Sequence, residues 1–149
     1  MKLRIMALMI LVICTSVLQA QMQTPIKWSY AAKKLNAKEA ILYLKADLNK
    51  GWHIYSMLPS EGGPVSTSFK FVASEDYSLF GEVLEPKPIK KRDKSFDMNL
   101  FYFEKSVIFQ QKIELTEVET VVKGKVVFMA CNDKMCLPPN EVSFEIPVK

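Results

Sequence analysis

The fold is decided near the carboxyl end, where residues 122–148 read VKGKVVFMACNDKMCLPPNEVSFEIPV. Both ends of this segment alternate apolar and polar side chains with a period of two, the pattern of half-buried β-strands. The apolar faces comprise Val122, Gly124, Val126, Phe128 and Ala130 in the first run, and Val142, Phe144, Ile146 and Val148 in the second. Two such strands joined by a cysteine-containing connection predict a β-protein.

Similar alternation upstream predicts further strands. These runs begin at Ile26, Ala40, Phe69, Tyr77 and Val107. Turn signals at 49–51, 61–64 and 85–88 separate them. Within the region 31–40, Asn36-Ala37 indicates a hairpin connection rather than a helical turn. Seven to nine short strands at this spacing predict an all-β fold, an immunoglobulin-like β-sandwich.

The amino terminus has the order of a secretory signal peptide. Lys2 and Arg4 precede an uncharged apolar run, residues 5–17, and Ala20 offers a small residue for cleavage. We therefore expect a signal peptide at 1–20 and a single exported domain at 21–149, in the periplasm or otherwise outside the cytoplasm. The apolar run is short for a membrane span. A lipoprotein modified at Cys14 is disfavoured by the bulky Ile13, and an uncleaved anchor is the other alternative.

Removal of the signal peptide changes the charge and the cysteine count. The formal net charge falls from +4 to +2 with the loss of Lys2 and Arg4, too little positive charge to suggest a nucleic-acid partner. No membrane span is expected after cleavage. Only Cys131 and Cys136 remain, and two cysteines in an oxidising compartment are expected to form a disulfide.

The spacing of the two cysteines leaves two interpretations of that disulfide. Four residues separate Cys131 from Cys136, and closing so short a loop stabilises a fold little. The bridge is therefore either redox-active or a structural tie at a hairpin end. A zinc site would need three or four ligands. The exported domain offers the two cysteines, His53 and carboxylates, so we expect no metal and no cofactor.

Two other segments contain candidate site residues. In the extended run 51–56, Trp52 and Ile54 share one face while His53 and Tyr55 share the other. His53 is either a structural residue or a group that assists proton transfer near the thiols. The stretch 87–97 is rich in lysine and proline, and it predicts an exposed loop that carries Phe96.

Three segments together resemble the N-terminal periplasmic domain of the thiol:disulfide interchange protein DsbD. Residues 131–139, CNDKMCLPP, followed by the strand 141–148, resemble the end of that domain. Residues 51–55 resemble its Gly-aromatic-aromatic-Leu-Tyr strand, and residues 91–102 resemble its cap loop. The likeness extends from Ile26 to Val148.

The resemblance implies an immunoglobulin-like thiol:disulfide oxidoreductase of the protein-disulfide reductase type. Such a domain takes electrons from a thioredoxin-like donor and passes them to oxidised periplasmic proteins through mixed disulfides. The implied residue roles are Cys136 as the attacking and attacked sulfur, Cys131 as the resolving cysteine, His53 and Tyr55 beside the pair, Phe96 as a lid, and Asp93 as the acidic residue of the cap loop.

The sequence also departs from the family pattern. The reference members have one more residue between the cysteines, His53 stands where they have an aromatic residue, and their acidic pair is reduced to Asp93-Lys94. DsbD continues into further domains, whereas this sequence ends at Lys149, so we expect a separate electron donor. The alternative function is an exported binding or structural module whose bridge only ties a loop, with a reduction potential below about −300 mV.

Overall fold

Antiparallel β-strands form the regular structure of the computed structural model, which describes residues 24–94 and 96–149. No helix occurs in these ranges, and hence none that would span a membrane. The strands are β1 (Ile26–Asn36), β2 (Glu39–Leu48), β3 (His53–Tyr55), β4 (Ser68–Phe71), β5 (Tyr77–Leu84), β6 (Ile89–Asp93), β7 (Met98–Glu104), β8 (Ser106–Leu115), β9 (Thr120–Phe128), β10 (Ala130–Cys131) and β11 (Asn140–Val148). The predicted signal peptide, with Cys14, lies outside the described residues.

The strands form three antiparallel sheets in an immunoglobulin-like arrangement. The first sheet has the order β1-β2-β8-β5, the second β10-β3-β7-β6 and the third β11-β9-β4. The predicted hairpin at Asn36 is confirmed, because β1 and β2 pair along their whole length across that turn. The all-β class predicted from the alternation is confirmed as well.

Aromatic side chains join the first sheet to the other two across one apolar core. Trp28 of β1 lies 5.5 Å from Phe128 of β9 between ring centroids, and Phe109 of β8 lies 5.0 Å from Phe69 of β4. Phe103 of β7 meets Phe109 edge-on at 5.8 Å. Phe109 is fully buried, and truncating such a side chain typically costs about 3–5 kcal/mol of stability.

One glycine on the apolar face of β9 is required by close packing. A Cβ atom built on Gly124 would lie 2.5 Å from the Lys70 carbonyl oxygen and 2.5 Å from Cζ of Phe144. Both distances are far below van der Waals contact. The place of Gly124 in the apolar alternation is therefore explained by the Phe144 ring and the β4 backbone, which occupy the space of its missing side chain.

The structure differs from the sequence-based expectation at two points. The described residues form eleven strands rather than seven to nine, because β10 has only two residues and the exposed β6 has no buried face, so neither shows alternation. The stretch 87–97 is not a loop throughout. Its residues Ile89–Asp93 form strand β6, which pairs with β7 as a hairpin. This strand is largely exposed, so no apolar periodicity marks it.

Candidate functional site

The second sheet places the candidate residues on one face. Cys131 of β10 is directly paired with His53 of β3, and Tyr55 of β3 is directly paired with Tyr102 of β7. Directly paired residues point to the same side of a sheet, and successive residues alternate. Cys131, His53 and Tyr55 therefore share a face, while Ile54 between them packs into the main core on the opposite side.

The two cysteines form a disulfide across the ends of a tight turn, with an S–S distance of 2.06 Å. The turn has hydrogen bonds of its own. The Asn132 N–H donates to the Met135 carbonyl at 2.9 Å, and the Asn132 side-chain oxygen accepts the N–H groups of Lys134 and Met135 at 2.9 Å each. These bonds hold the loop between the cysteines in addition to the S–S bond, and they explain why an Asn follows Cys131.

The two cysteines differ in accessibility. Cys131 is 1% exposed and belongs to a strand, whereas Cys136 is partly exposed and lies beyond the turn. A reagent that approaches from solvent therefore reaches the Cys136 residue before the Cys131 residue. Of the two residues, Cys136 is the more accessible to an incoming nucleophile.

A small apolar cluster, separate from the main core, surrounds the disulfide. Its buried members are Tyr55, Leu100, Tyr102 and Cys131, and its partly buried members are Phe96, Met98, Met129 and Cys136. The Phe96 ring meets the Tyr55 ring edge-on, with 6.4 Å between centroids. Phe96 lies in the turn before β7, so it reaches the cluster from the β6–β7 hairpin.

Asp93 connects the hairpin to the residues of β3. The Tyr55 hydroxyl donates to one Asp93 oxygen at 3.4 Å, and the Phe96 N–H donates to the other at 3.2 Å. Nε2 of His53 lies 3.3 Å from the Tyr55 hydroxyl oxygen. Since the single Tyr55 proton is directed to Asp93, this contact requires the tautomer with hydrogen on Nε2. The result is a chain of polar contacts that runs His53, Tyr55, Asp93.

The surroundings of these groups favour their neutral forms. Burial lowers the pKa of His53 below its usual range, and the carboxylates of Asp93, Glu104 and Asp133 oppose that shift. Burial also raises the pKa of Tyr55 well above its usual range, with Asp93 adding to the effect. At neutral pH His53 is therefore mainly uncharged, and Tyr55 retains the proton that it donates to Asp93.

A surface groove of about 510 Å³ separates the β6–β7 hairpin from the cysteine turn. The hairpin contributes Lys91, Arg92 and Lys94 to its lining, and the turn contributes Asn132 and Asp133. His53, the direct pair of Cys131, also lines this groove. Among residues 24–94 and 96–149, no group of three or more His, Cys, Asp or Glu side chains is placed to bind a metal ion.

The structure brings all six residues singled out in the sequence into one region, and it adds residues that the sequence did not indicate. Tyr102 lies against His53 with ring centroids 4.9 Å apart, and Glu104 of β7 is the direct pair of His53. Glu85 accepts hydrogen bonds from the Ser56 hydroxyl and the Met57 N–H, which holds the chain just beyond β3. The alternation of Met98, Leu100 and Tyr102 in the sequence is the pattern from which strand β7 could have been predicted.

Comparison with known proteins identifies the same type of domain. A family model described as thiol:disulfide interchange protein DsbD, N-terminal, matches residues 19–147. A comparison with curated proteins found no match. Among solved structures, the N-terminal periplasmic domain of ScsB from Proteus mirabilis has a TM-score of 0.58 at 17% identity, covering 80% of this chain and 44% of that chain.

Two structures from Neisseria meningitidis are also similar. The DsbD N-terminal domain in its reduced form has a TM-score of 0.50 at 16% identity, covering 74% of this chain and 84% of that one. The complex between the DsbD N-terminal and PilB N-terminal domains has a TM-score of 0.55 at 13% identity, covering 84% and 87%. At these identities the likeness shows the fold alone, and the chain spans less than half of the ScsB chain.

Proposed function

The chain belongs to the family of DsbD N-terminal domains, and on that premise we propose that it exchanges its Cys131–Cys136 disulfide with partner proteins outside the cytoplasm. The observation that carries the proposal is the unequal burial of the two sulfur-bearing residues within one bridge. Cys131 is 1% exposed and Cys136 is partly exposed. Thiol–disulfide exchange requires one accessible sulfur, which forms the mixed disulfide with the partner, and a second sulfur, which then attacks that mixed disulfide and releases the partner.

The bridge is reduced in two displacements. A thiolate of the donor attacks the Cys136 sulfur, the Cys131–Cys136 bond breaks, and Cys131 leaves as a thiolate that takes up a proton. The second cysteine thiolate of the donor then attacks the donor sulfur of the mixed disulfide and releases Cys136 as a thiolate. Two electrons have passed to the domain, and the donor has become a disulfide.

The reduced domain passes these electrons on by the reverse steps. The Cys136 thiolate attacks an oxidised protein and expels one of its thiolates, forming a mixed disulfide. Cys131, once deprotonated, attacks the Cys136 sulfur and expels the second thiolate. The protein leaves as a dithiol, and the bridge of the domain forms again.

The apolar cluster supports this mechanism by limiting access to the bridge. Phe96 packs in the same cluster as both cysteines, and its backbone is held by Asp93. We assign Phe96 the role of a lid that a docking partner displaces, with Asp93 and Tyr55 as the residues that position it. His53, uncharged at neutral pH, is assigned to proton transfer near the pair.

The proposed partners are thioredoxin-like proteins or domains. One structural neighbour is a complex of a DsbD N-terminal domain with the PilB N-terminal domain, which shows that a domain of this fold forms a complex with another protein domain. The amino-terminal segment described above and the family membership support export, so we assign the exchange to the periplasm or an equivalent oxidising compartment.

A trapping experiment tests the proposal. In Cys131→Ser the remaining Cys136 thiol should form a stable mixed disulfide with a thioredoxin variant that lacks its own resolving cysteine and carries an aromatic thiol as leaving group on its remaining cysteine, detected by non-reducing electrophoresis and mass spectrometry. Cys136→Ser is the matched control, and its buried Cys131 should form none. Equal trapping by both variants, or a reduction potential of the parent below about −300 mV, would instead assign the bridge a structural role.

A further inference from the structure

The positive charge of the domain is concentrated in one hairpin beside the disulfide. Residues 87–97 carry five basic and two acidic side chains, whereas the rest of residues 24–149 carry 13 basic and 14 acidic ones. The basic residues of this segment are Lys87, Lys90, Lys91, Arg92 and Lys94, and all are exposed. We call residues 87–97 the basic hairpin.

Contacts within the basic hairpin differ between its charged residues, and two of its lysines line the groove. Asp97 forms an ion pair with Arg92 at 2.7 Å. Asp93 accepts hydrogen bonds from Tyr55 and Phe96, as described above. Lys90 lies over the Phe101 ring, 5.5 Å from the ring centroid. This pair is on the face of the sheet opposite to Lys91. Lys91 and Lys94 line the groove that ends at the cysteine turn.

The groove is polarised across its width. The hairpin side is lined by Lys91, Arg92 and Lys94 together with the hydrogen-bonded Asp93, while Glu104 of β7 and Asp133 of the turn line the side nearer to Cys131. The Debye length at physiological ionic strength is about 8 Å, so salt screens incompletely over the few ångströms between a groove wall and a group beside it. Charges on one wall therefore act on any group that enters the groove.

We infer that the basic hairpin selects exchange partners whose surface beside the reactive cysteine is acidic. The inference rests on the proposed function and deepens it by giving the chemistry of the partner. An acidic residue that enters on the hairpin side meets Lys91 and Lys94, and it brings the partner surface against the cysteine turn, which lines the same groove through Asn132 and Asp133. The same residue on the opposite side would meet Glu104 and Asp133, so the charge pattern also favours one orientation.

The competing explanation concerns protection of the sheet. Strand β6 ends the second sheet, and lysines on such edge strands prevent pairing with other chains. That role requires charge on the edge but no effect on exchange. The two explanations therefore predict different results when charge is removed only from the groove side.

Two synthetic dithiol peptides test the inference. Both contain the same Cys-x-x-Cys core, one flanked by glutamates and the other by lysines, and each reduces the Cys131–Cys136 bridge in a stopped-flow assay. Rates are expressed per thiolate, because flanking charges alter the thiol pKa. The acidic peptide should react faster than the basic one. Lys91→Gln combined with Lys94→Gln should lower this ratio by roughly threefold or more, within the range of electrostatic steering.

The control has the same loss of charge elsewhere. Lys27 and Lys70 are exposed on β1 and β4, outside the second sheet, and Lys27→Gln combined with Lys70→Gln should leave the ratio unchanged. In 1 M salt the ratio should approach one in the parent, because the Debye length shrinks to about 3 Å.

The outcomes separate this inference from the proposed function. Equal rates for the two peptides, or the same ratio in both double variants, would overturn the inference while exchange itself stands. The same ratio accompanied by aggregation of the groove variant would assign the lysines to edge protection. If neither peptide reduces the bridge in the parent protein, the proposed function fails, and the inference fails with it.

Discussion

Cys131 and His53 are direct partners across two neighbouring antiparallel strands, so the buried cysteine and the imidazole share one face of the sheet. The imidazole also lies against Tyr102 and contacts the Tyr55 hydroxyl. A titratable ring is thereby built into the strand next to the disulfide. Burial and the charged groups around the imidazole shift the pH at which it takes up a proton.

The free energy of unfolding should depend on pH through His53. Its pKa is lowered by burial, so between that value and the ordinary 6.5 the unfolded chain binds more protons than the folded one. Stability is therefore full above pH 6.5 and falls as the pH drops through this window, by at most about 1.4 kcal/mol per pH unit. Urea melts from pH 5 to pH 8 measure the slope.

The variant His53→Gln should flatten the same profile. Four charged groups act on the imidazole and must be unchanged for the comparison: Asp93, Glu104, Asp133 and Lys91. Glutamine does not titrate, so the slope between pH 5 and 6.5 should decrease while the shape at higher pH is retained. A profile identical to that of the parent would mean that another group titrates in this window.

Removal of the Phe96 ring should expose the bridge to small thiols. Phe96→Ala is expected to be reduced several-fold faster by dithiothreitol or glutathione, with little change in reduction potential, because the ring packs in the cluster around the cysteines. Phe101→Ala is the matched control, since Phe101 is directly paired with Lys90 on the other face of the same hairpin. An equal acceleration in both variants, with lower melting temperatures, would indicate loosening of the hairpin.

Removal of the disulfide should destabilise the domain only slightly. The double substitution Cys131→Ala and Cys136→Ala removes a bridge that closes a very short loop, so its cost should stay below the roughly 3 kcal/mol of a 15-residue loop. Phe144→Ala should cost about 3–5 kcal/mol, because that ring is buried between the sheets. Urea denaturation compares the two. A larger loss from the cysteine variant would identify a structural bridge.

Gly124→Ala should destabilise the domain through contact with Phe144. The added methyl group would meet both the Lys70 carbonyl and the Phe144 ring, and overpacking of this kind typically costs about 1–3 kcal/mol. Phe144→Leu in the same chain should recover part of the loss, which a double-mutant cycle measures. Additive effects of the two substitutions would place the strain at the Lys70 backbone alone.

Most of the long strands were predictable because they have one face in the core and one in water. Phe109 and Ile113 alternate with exposed residues in β8, and Phe144 and Ile146 do so in β11. Strand β6 could not be predicted in this way. Lys90, Lys91 and Arg92 are all exposed there, and pairing to β7 rather than burial defines it.

The candidate site was only partly predictable, since long-range pairing builds it. The sequence pattern indicated the cysteines, His53 and Phe96, and the family resemblance added roles for Tyr55 and Asp93. The positions of Tyr102 and Glu104 beside His53 follow from the register of β3 with β7, which local pattern does not specify. The distribution of charge in the groove likewise depends on the cysteine turn lying opposite the β6–β7 hairpin, which local sequence pattern does not specify.

The hydrogen-bonded turn between the cysteines has a kinetic consequence for exchange. Asn132 holds the turn through its own backbone and side chain, so the two thiols stay neighbours after the bond between them is broken. Cys131 then meets a Cys136 mixed disulfide at an effective molarity set by geometry rather than diffusion. Covalent intermediates with partners would therefore be short-lived, and their residence time would be governed by Asn132 more than by the area of the docking surface.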